Sequence, residues 1–329
     1  MQIYNTFGLE ATANQYVEFS SEKELCHFLE QGINQPYLVV GGGSNLVFTR
    51  HYPGVVMRMA NKGISIQSHP QTPNTVLVTA AAGEVWDEFV RYCILHQCYG
   101  VENLVAIPGC VGAAPVQNVG AYGVEAKDII HEVRAIHIAT AQPRIFKAQE
   151  CQFGYRSSIF KTQLSGQYII TSVTFSLSTQ FTPQVEYQAL RDALTNQGIS
   201  HPTPTQLADT ITQVRWSKLP RPEEMGSAGS FFKNPEVSTA EYEALKERYP
   251  DLVAFPLPNG YKLSAGWLIQ QAGWKGRSLG RCGVYAKQAL VLVNHGQCTG
   301  SEVLALADTI TSDVKKLFGV SLQKEAIII

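Results

Sequence analysis

The sequence has no long apolar run. No stretch of its 329 residues approaches the roughly 20 apolar residues that a membrane-spanning helix needs, so no membrane association is expected. The opening Met1-Gln2-Ile3-Tyr4-Asn5-Thr6-Phe7-Gly8 lacks a basic head followed by an apolar stretch, and no signal peptide is read there. A surplus of charge is missing too: Lys plus Arg number 26 and Asp plus Glu 27, for a net charge of −1. That removes the broad attraction on which non-specific nucleic-acid binding depends, but not a local basic site for a phosphate. The seven cysteines, Cys26, Cys93, Cys98, Cys110, Cys151, Cys282 and Cys298, are odd in number and contain no Cys-x-x-Cys pair. A disulfide framework, a zinc ribbon and any other metal site are therefore not expected, and a reducing cytoplasm is the expected compartment. Cys110 lies in a Gly-rich loop and is a candidate nucleophile, but no sequence feature supplies it with an activating base.

What is present is ample apolar material. Apolar residues make up 45% of the chain and charged residues 16%, which supports a well-buried core divided over two or three structural units. Ser21 and Glu24 have capping-box spacing ahead of a helix over 21–30, with Gly32 as its stop. Tyr37-Leu38-Val39-Val40 reads as a buried strand, followed by strands near 55–59 and over 75–80 and a helix over 84–96. Strands are expected around 132–138 and 168–177, and a helix on Leu207, Ile211 and Val214. The Pro-flanked Lys218-Leu219-Pro220-Arg221-Pro222 is the expected domain boundary. Beyond it come helices over 238–248 and 265–271, a strand over 289–293, and a long helix over 301–318. That last helix is expected to carry Val303, Leu306, Ile310, Val314 and Leu317 on one buried stripe. The irregular alternation of strands and helices indicates an α+β protein.

Two loops carry the chemistry. Gly41-Gly42-Gly43-Ser44-Asn45 follows a strand, and successive glycines let backbone N–H groups approach an anion. It is not a dinucleotide fingerprint, which needs a helix at once and an acid about 20 residues on, and no Gly-Lys-Ser/Thr follows to make a Walker loop. The second loop, from Ile107 to Gly123, is uncharged, carries several glycines, and offers Gln117 and Asn118 as donors and acceptors. Two such loops suit an extended, phosphate-bearing cofactor better than a single small anion.

Several motifs then occur together and in order. They are the two loops, Gly154-Tyr155-Arg156-Ser157-Ser158-Ile159-Phe160-Lys161, Gly226-Ser227-Ala228-Gly229-Ser230-Phe231-Phe232-Lys233-Asn234-Pro235, Ala265-Gly266-Trp267-Leu268-Ile269 and Gln288-Ala289-Leu290-Val291. Nearly end to end, and including Asn5-Thr6-Phe7-Gly8, the chain resembles the UDP-N-acetylenolpyruvoylglucosamine reductase (MurB) family, in its larger subtype with a tyrosine-bearing loop around Tyr187. The resemblance implies an α+β protein with an FAD-binding fold of the vanillyl-alcohol oxidase (PCMH-type) class in two subdomains and a separate substrate-binding domain. The implied divisions are residues 1–57 with 319–329, 58–217 and 218–318. It further implies non-covalent FAD, NADPH as hydride donor, the enolpyruvyl nucleotide as small-molecule substrate, and a monomer.

Residue by residue, the resemblance implies that Arg156 stabilises the charge developing into the substrate's carboxylate, because guanidinium can grip a carboxylate with two parallel hydrogen bonds. It makes Ser230 the proton donor, with Ser227 as its rival, and Glu325 the residue that polarises the enol ether or orients the proton. For FAD it implies Gly41, Gly42, Gly43, Ser44 and Asn45 on the pyrophosphate. Pro108, Gly109, Gly112, Ala113, Gln117, Asn118, Gly120, Ala121, Tyr122 and Gly123 would hold the flavin and its chain, and Arg215 would lie near the flavin. Tyr187, Lys218, Asn234 and Gln288 match substrate-contacting positions, and Tyr155 is expected beside Arg156. The chain departs from the family pattern at its tail, where Glu325 is followed by Ala326-Ile327-Ile328-Ile329 and Ile327 stands in place of an arginine. Glu325 is accordingly expected to be weakly anchored and prone to fraying. Two alternatives stay open: an oxidase on the same flavin fold, and a non-catalytic descendant.

Overall fold

The computed structural model describes all 329 residues, and the chain separates into two compact units. The first holds Met1, Ala13–Gly42 and Pro53–Arg215, and the second holds Gln2–Thr12, Gly43–Tyr52 and Trp216–Ile329.

In the first unit, Tyr37–Val40 runs parallel to the strand Tyr52–Met59, with Tyr37 opposite Val55, and Ala13–Phe19 lies on the other side of that strand. A second, antiparallel sheet has the order Pro143–Lys147, Ile130–His137, Tyr168–Ser178, Thr75–Ala81, Ile64–Ser68. Its longest strand, Tyr168–Ser178, sits at the centre, where β-branched and aromatic side chains pack on both faces. The helix Trp86–Leu95 lays Trp86 and Phe89 against Phe175 of that strand, with Phe89 and Phe175 ring centroids 4.7 Å apart. The buried Trp86 Nε1–H donates to the Leu104 carbonyl at 2.8 Å, so the indole is buried with its polar atom satisfied. The helix Glu22–Glu30 starts on Ser21, whose Oγ accepts from the Glu24 N–H, while Glu24 reaches back to the Ser20 N–H.

In the second unit, Gly226–Ser230, Val291–Asn294, Cys282–Val284 and Ser278–Leu279 form an antiparallel sheet in that order. Glu236–Val237, Gly260–Leu263 and Ala254–Leu257 form a smaller one. The helix Gly300–Phe318 is capped reciprocally: Thr299 Oγ1 accepts from the Glu302 N–H, and the Glu302 carboxylate accepts from the Thr299 N–H. Val303, Leu306, Ile310 and Val314 are buried as the periodicity requires, but Leu317 is 46% exposed. The stripe ends one residue later than expected, because Phe318 closes an aromatic cluster with Tyr249 and Trp267 and leaves Leu317 outside it. All seven cysteines are thiols, and no helix is long and apolar enough to cross a membrane.

Candidate active site

In the first unit the expected residues gather around Arg156. It sits in a four-residue turn closed in both directions: Gly154 N–H donates to the Ser157 carbonyl at 3.0 Å, and Ser157 N–H to the Gly154 carbonyl at 3.2 Å. The turn places Arg156 at φ +52°, a left-handed conformation costly for a long side chain and kept only where the surroundings impose it. Its guanidinium lies over the uncharged loop. Nη2 donates to the Gly120 carbonyl at 2.8 Å and Nη1 to the Asn118 carbonyl at 3.5 Å. A Cβ at Gly120 would stand 3.1 Å from Arg156 Nη1, 2.9 Å from Glu125 Cγ and 3.0 Å from the Val124 carbonyl, so any larger residue would crowd the guanidinium. The Tyr155 ring packs 5.2 Å from the guanidinium carbon.

Glu125 was not among the expected residues. Its Oε1 stands 3.9 Å from Arg156 Nη1, while its Oε2 accepts from Lys127 Nζ at 2.8 Å and from Asn118 Nδ2 at 3.1 Å. A signal was available, since Glu125 is the first charged residue after the uncharged run that begins at Ile107. Asn118 is fully buried, and its side chain also reaches the Gly154 carbonyl at 3.0 Å and the Lys127 N–H at 2.9 Å.

Tyr122 and Tyr187 meet edge to face, with centroids 5.3 Å apart; Tyr187 is half-exposed at the start of the helix Gln188–Asn196. Burial pushes the Tyr122 phenol up, against the pull of Arg215. Burial pushes the Arg215 guanidinium down; Tyr122 and Asp87 act in the opposite sense, and the like charge of Arg156 adds to the fall. Asp87 is itself engaged by Arg91 Nε at 3.1 Å, and Glu125 is shared with Lys127. Gly42 packs backbone to backbone on the second loop, where a Cβ would fall 2.9 Å from Gly109 Cα. Pro108, Gly112, Ala113, Gln117 and Ala121 are half-buried along that loop and Gly123 is exposed. Burial pushes the Cys110 thiol up, against the backbone N–H groups of Ala113, Gly42 and Gly112. The candidate nucleophile is therefore a packing residue.

In the second unit, Ser230 and Glu325 are brought to adjoining positions. The strand Gly226–Ser230 pairs Ser227 with Val293 and Ser230 with Val291, so one extra residue bulges at Ala228-Gly229, with Gly229 at φ +66°. Ser227 is buried, its N–H donating to the Thr6 carbonyl and its carbonyl accepting from Thr6 Oγ1. Past the bulge Ser230 is exposed.

The tail is anchored by backbone pairing rather than weakly held as expected. Glu325 N–H donates to the Phe231 carbonyl at 2.8 Å, Lys233 N–H to the Gln323 carbonyl at 2.9 Å, and Asn45 Nδ2 to the Glu325 carbonyl at 3.3 Å. Ile327–Ile328 then pairs in parallel with Leu46–Val47, and the Ile329 carbonyl accepts from both the N–H and Oγ1 of Thr49. Backbone pairing supplies the anchorage, so no side chain at position 327 is needed for it. Gly43, Ser44 and Asn45 lie in this unit, and Gly43 accepts from the Thr6 N–H.

Asn234 Oδ1 accepts from the Ala265 N–H at the start of the helix Ala265–Gln271. Gln288 Oε1 accepts from the Leu290 N–H. Lys218 is exposed at the end of the helix Pro204–Lys218.

Comparison with known proteins gives concordant matches. Residues 13–144 match an FAD binding domain, and residues 221–329 match the C-terminal domain of UDP-N-acetylenolpyruvoylglucosamine reductase. A protein of that name from Bdellovibrio bacteriovorus is 44% identical over 325 residues, spanning 98% of this chain and 96% of its own. Another from Pseudomonas fluorescens is 45% identical over 98% of this chain and 95% of its own. In fold, the chain is similar to the crystal structure of the Thermus caldophilus enzyme. The TM-score is 0.67 at 24% identity, over 99% of this chain and 95% of that one.

Proposed function

The chain belongs to the UDP-N-acetylenolpyruvoylglucosamine reductase family, and we propose from that premise how its residues divide the work of the FAD-dependent reduction that yields UDP-N-acetylmuramate for peptidoglycan synthesis. The fold is accordingly an FAD-binding fold of the PCMH type with a separate C-terminal domain. FAD, when bound, would supply the hydride chemistry, with NADPH as the donor that would reduce it.

The two glycine loops and Arg215 would hold the cofactor. The close approach of Gly42 to the Gly109 backbone, which a Cβ would block, brings the two loops together and supports this reading. Arg156 would grip the substrate's carboxylate and stabilise the negative charge that develops on the neighbouring carbon and spreads into that group. Ser230 would hold the proton delivered to that carbon, and Glu325 would orient it. Tyr187, as the tyrosine of the larger subtype, would contact the nucleotide together with Lys218, Asn234, Gln288 and Tyr155.

The observation that carries this reading is the Glu325 N–H···O=C Phe231 hydrogen bond, which sets a carboxylate-bearing residue beside the residue that follows an exposed serine. The test is direct. The purified protein should be yellow and should oxidise NADPH only when the enolpyruvyl nucleotide is added. Oxygen-driven turnover without NADPH would instead identify an oxidase on the same fold, and a colourless protein after gentle purification would count against either enzyme.

A further inference from the structure

We infer that Asn118 is a positioning residue for Arg156, with Glu125 as the countercharge that completes the arrangement, rather than a side-chain ligand of the cofactor. The inference rests on the reading that Arg156 grips the substrate's carboxylate.

The side-chain amide of asparagine has two N–H donors and one carbonyl acceptor. In Asn118 both donors are spent inside the protein, one on the Gly154 carbonyl at 3.0 Å and one on Glu125 Oε2 at 3.1 Å. The acceptor takes the Lys127 N–H at 2.9 Å, and the residue is 0% exposed. No side-chain donor remains for a bound molecule. What the three bonds do instead is join two segments far apart in sequence. Gly154 opens the strained turn that carries Arg156, and Lys127 and Glu125 lie in the segment that follows the uncharged loop. The backbone of Asn118 completes the connection, because its carbonyl and that of Gly120 are the acceptors over which the guanidinium lies. Arg156 is thus held at both ends by one buried residue: at its backbone through Gly154, and at its side chain through the loop that Asn118 fixes.

Glu125 has a distinct part. A carboxylate this close could form a bidentate pair with Arg156 and occupy the edge a substrate carboxylate would use. It stands instead at 3.9 Å, because its other oxygen is held by Lys127 and Asn118. Glu125 thus partly balances the charge of Arg156 without closing on it as a bidentate partner.

The experiment compares half-reactions in the FAD-loaded enzyme. Asn118→Asp keeps the volume and the acceptor for Lys127 but replaces the donor to Gly154 and sets a second carboxylate against Glu125. It should slow flavin reoxidation by the enolpyruvyl nucleotide about 10- to 100-fold, as expected for a misplaced catalytic group. FAD content and flavin reduction by NADPH should stay near wild type. In the Asn118→Asp/Arg156→Lys double variant the losses should not add, because both act through one guanidinium. Loss of FAD, or equal slowing of both half-reactions, would return Asn118 to the cofactor site and overturn the inference. Additive losses on top of a slow Arg156→Lys variant would also overturn it while leaving the role of Arg156 standing. Wild-type reoxidation in Arg156→Lys alone would remove the carboxylate grip and the inference with it. Glu125→Gln, which keeps an acceptor for Asn118, serves if Asn118→Asp does not fold. It should give a smaller loss confined to the same half-reaction, and a loss in NADPH reduction would refute the assignment.

Discussion

Glu325 is held beside Phe231 by its own backbone N–H, at 2.8 Å from the Phe231 carbonyl. The placement of this acid therefore depends on main-chain pairing that continues to the last residue, Ile329. Replacing Ile327 by proline removes the N–H that donates to the Asn45 carbonyl and breaks the short parallel ladder. The expected result is a protein that keeps FAD and accepts electrons from NADPH normally but transfers them to substrate slowly. Unchanged reoxidation in Ile327→Pro would show that the tail does not place Glu325.

The hydroxyl of Ser230 is exposed past a bulge, and Ser227 is buried on Thr6. Ser230→Ala should slow flavin reoxidation by the nucleotide far more than flavin reduction by NADPH, whereas Ser227→Ala should act mainly on stability. Stopped-flow absorbance of the two half-reactions separates these outcomes. Equal slowing of both by Ser230→Ala would withdraw the proton-donor assignment.

The bulge itself can be tested at Gly229. Its φ of +66° is unfavourable for any residue with a Cβ, yet nothing lies within 4 Å of where that Cβ would be. The cost of Gly229→Ala is therefore in the backbone alone, about 1 kcal/mol. A relaxed strand would also turn Ser230 away from its present direction. A modest fall in melting temperature with a larger fall in reoxidation rate is expected; a fall in stability with full activity would mean that the bulge does not aim Ser230.

Much of the fold was legible because local chemistry decided it. Ser21 with Glu24 and Ser238 with Glu241 start helices by spacing alone, and both caps are formed. Tyr37–Val40 reads as a strand from its unbroken apolar run. The strand Gly226–Ser230 was not legible, since glycine and serine have little preference for extended structure and its pairing is supplied by distant Val291–Asn294. Ile64–Ser68 escaped for another reason: it is an exposed edge strand whose alternation rests on Ile64 and Ile66 alone, too short a pattern to read. The tail's anchorage and the inward-turned amide of Asn118 depend on partners far off in sequence, and residue type at 118 points as readily to a ligand as to a carbonyl.

Glu302 provides a pH test in the second unit. The Thr299 N–H, then Arg281 and the Thr299 hydroxyl, lower its carboxyl from 4.5 to about 2. A group depressed in the folded state contributes its stabilisation fully above the unfolded value and loses it as pH falls towards the folded one. The contribution should therefore be complete at neutrality and fade between pH 4.5 and about 2. Glu302→Gln can still accept from Thr299 but loses the charge facing Arg281. Its deficit in urea midpoint relative to the parent should shrink as pH is lowered through that window, and a deficit independent of pH would assign Glu302 a purely steric part.

Arg156 is held flat over the loop by the Gly120 and Asn118 carbonyls, with the Tyr155 ring beside it. Lysine in its place keeps the charge but not the planar pair of donors. Hydrogen bonds to a charged partner contribute about 1.5–3 kcal/mol each, so losing one of a parallel pair predicts a fall of about 10- to 100-fold in kcat/KM for the nucleotide. The fall should include kcat, because the charge being stabilised grows in the transition state. Reduction of the flavin by NADPH does not involve the substrate's carboxylate and should be unaffected. An Arg156→Lys enzyme that changes only KM would mean that the guanidinium binds the ground state and the transition state alike, and the charge-stabilising role would pass to another residue.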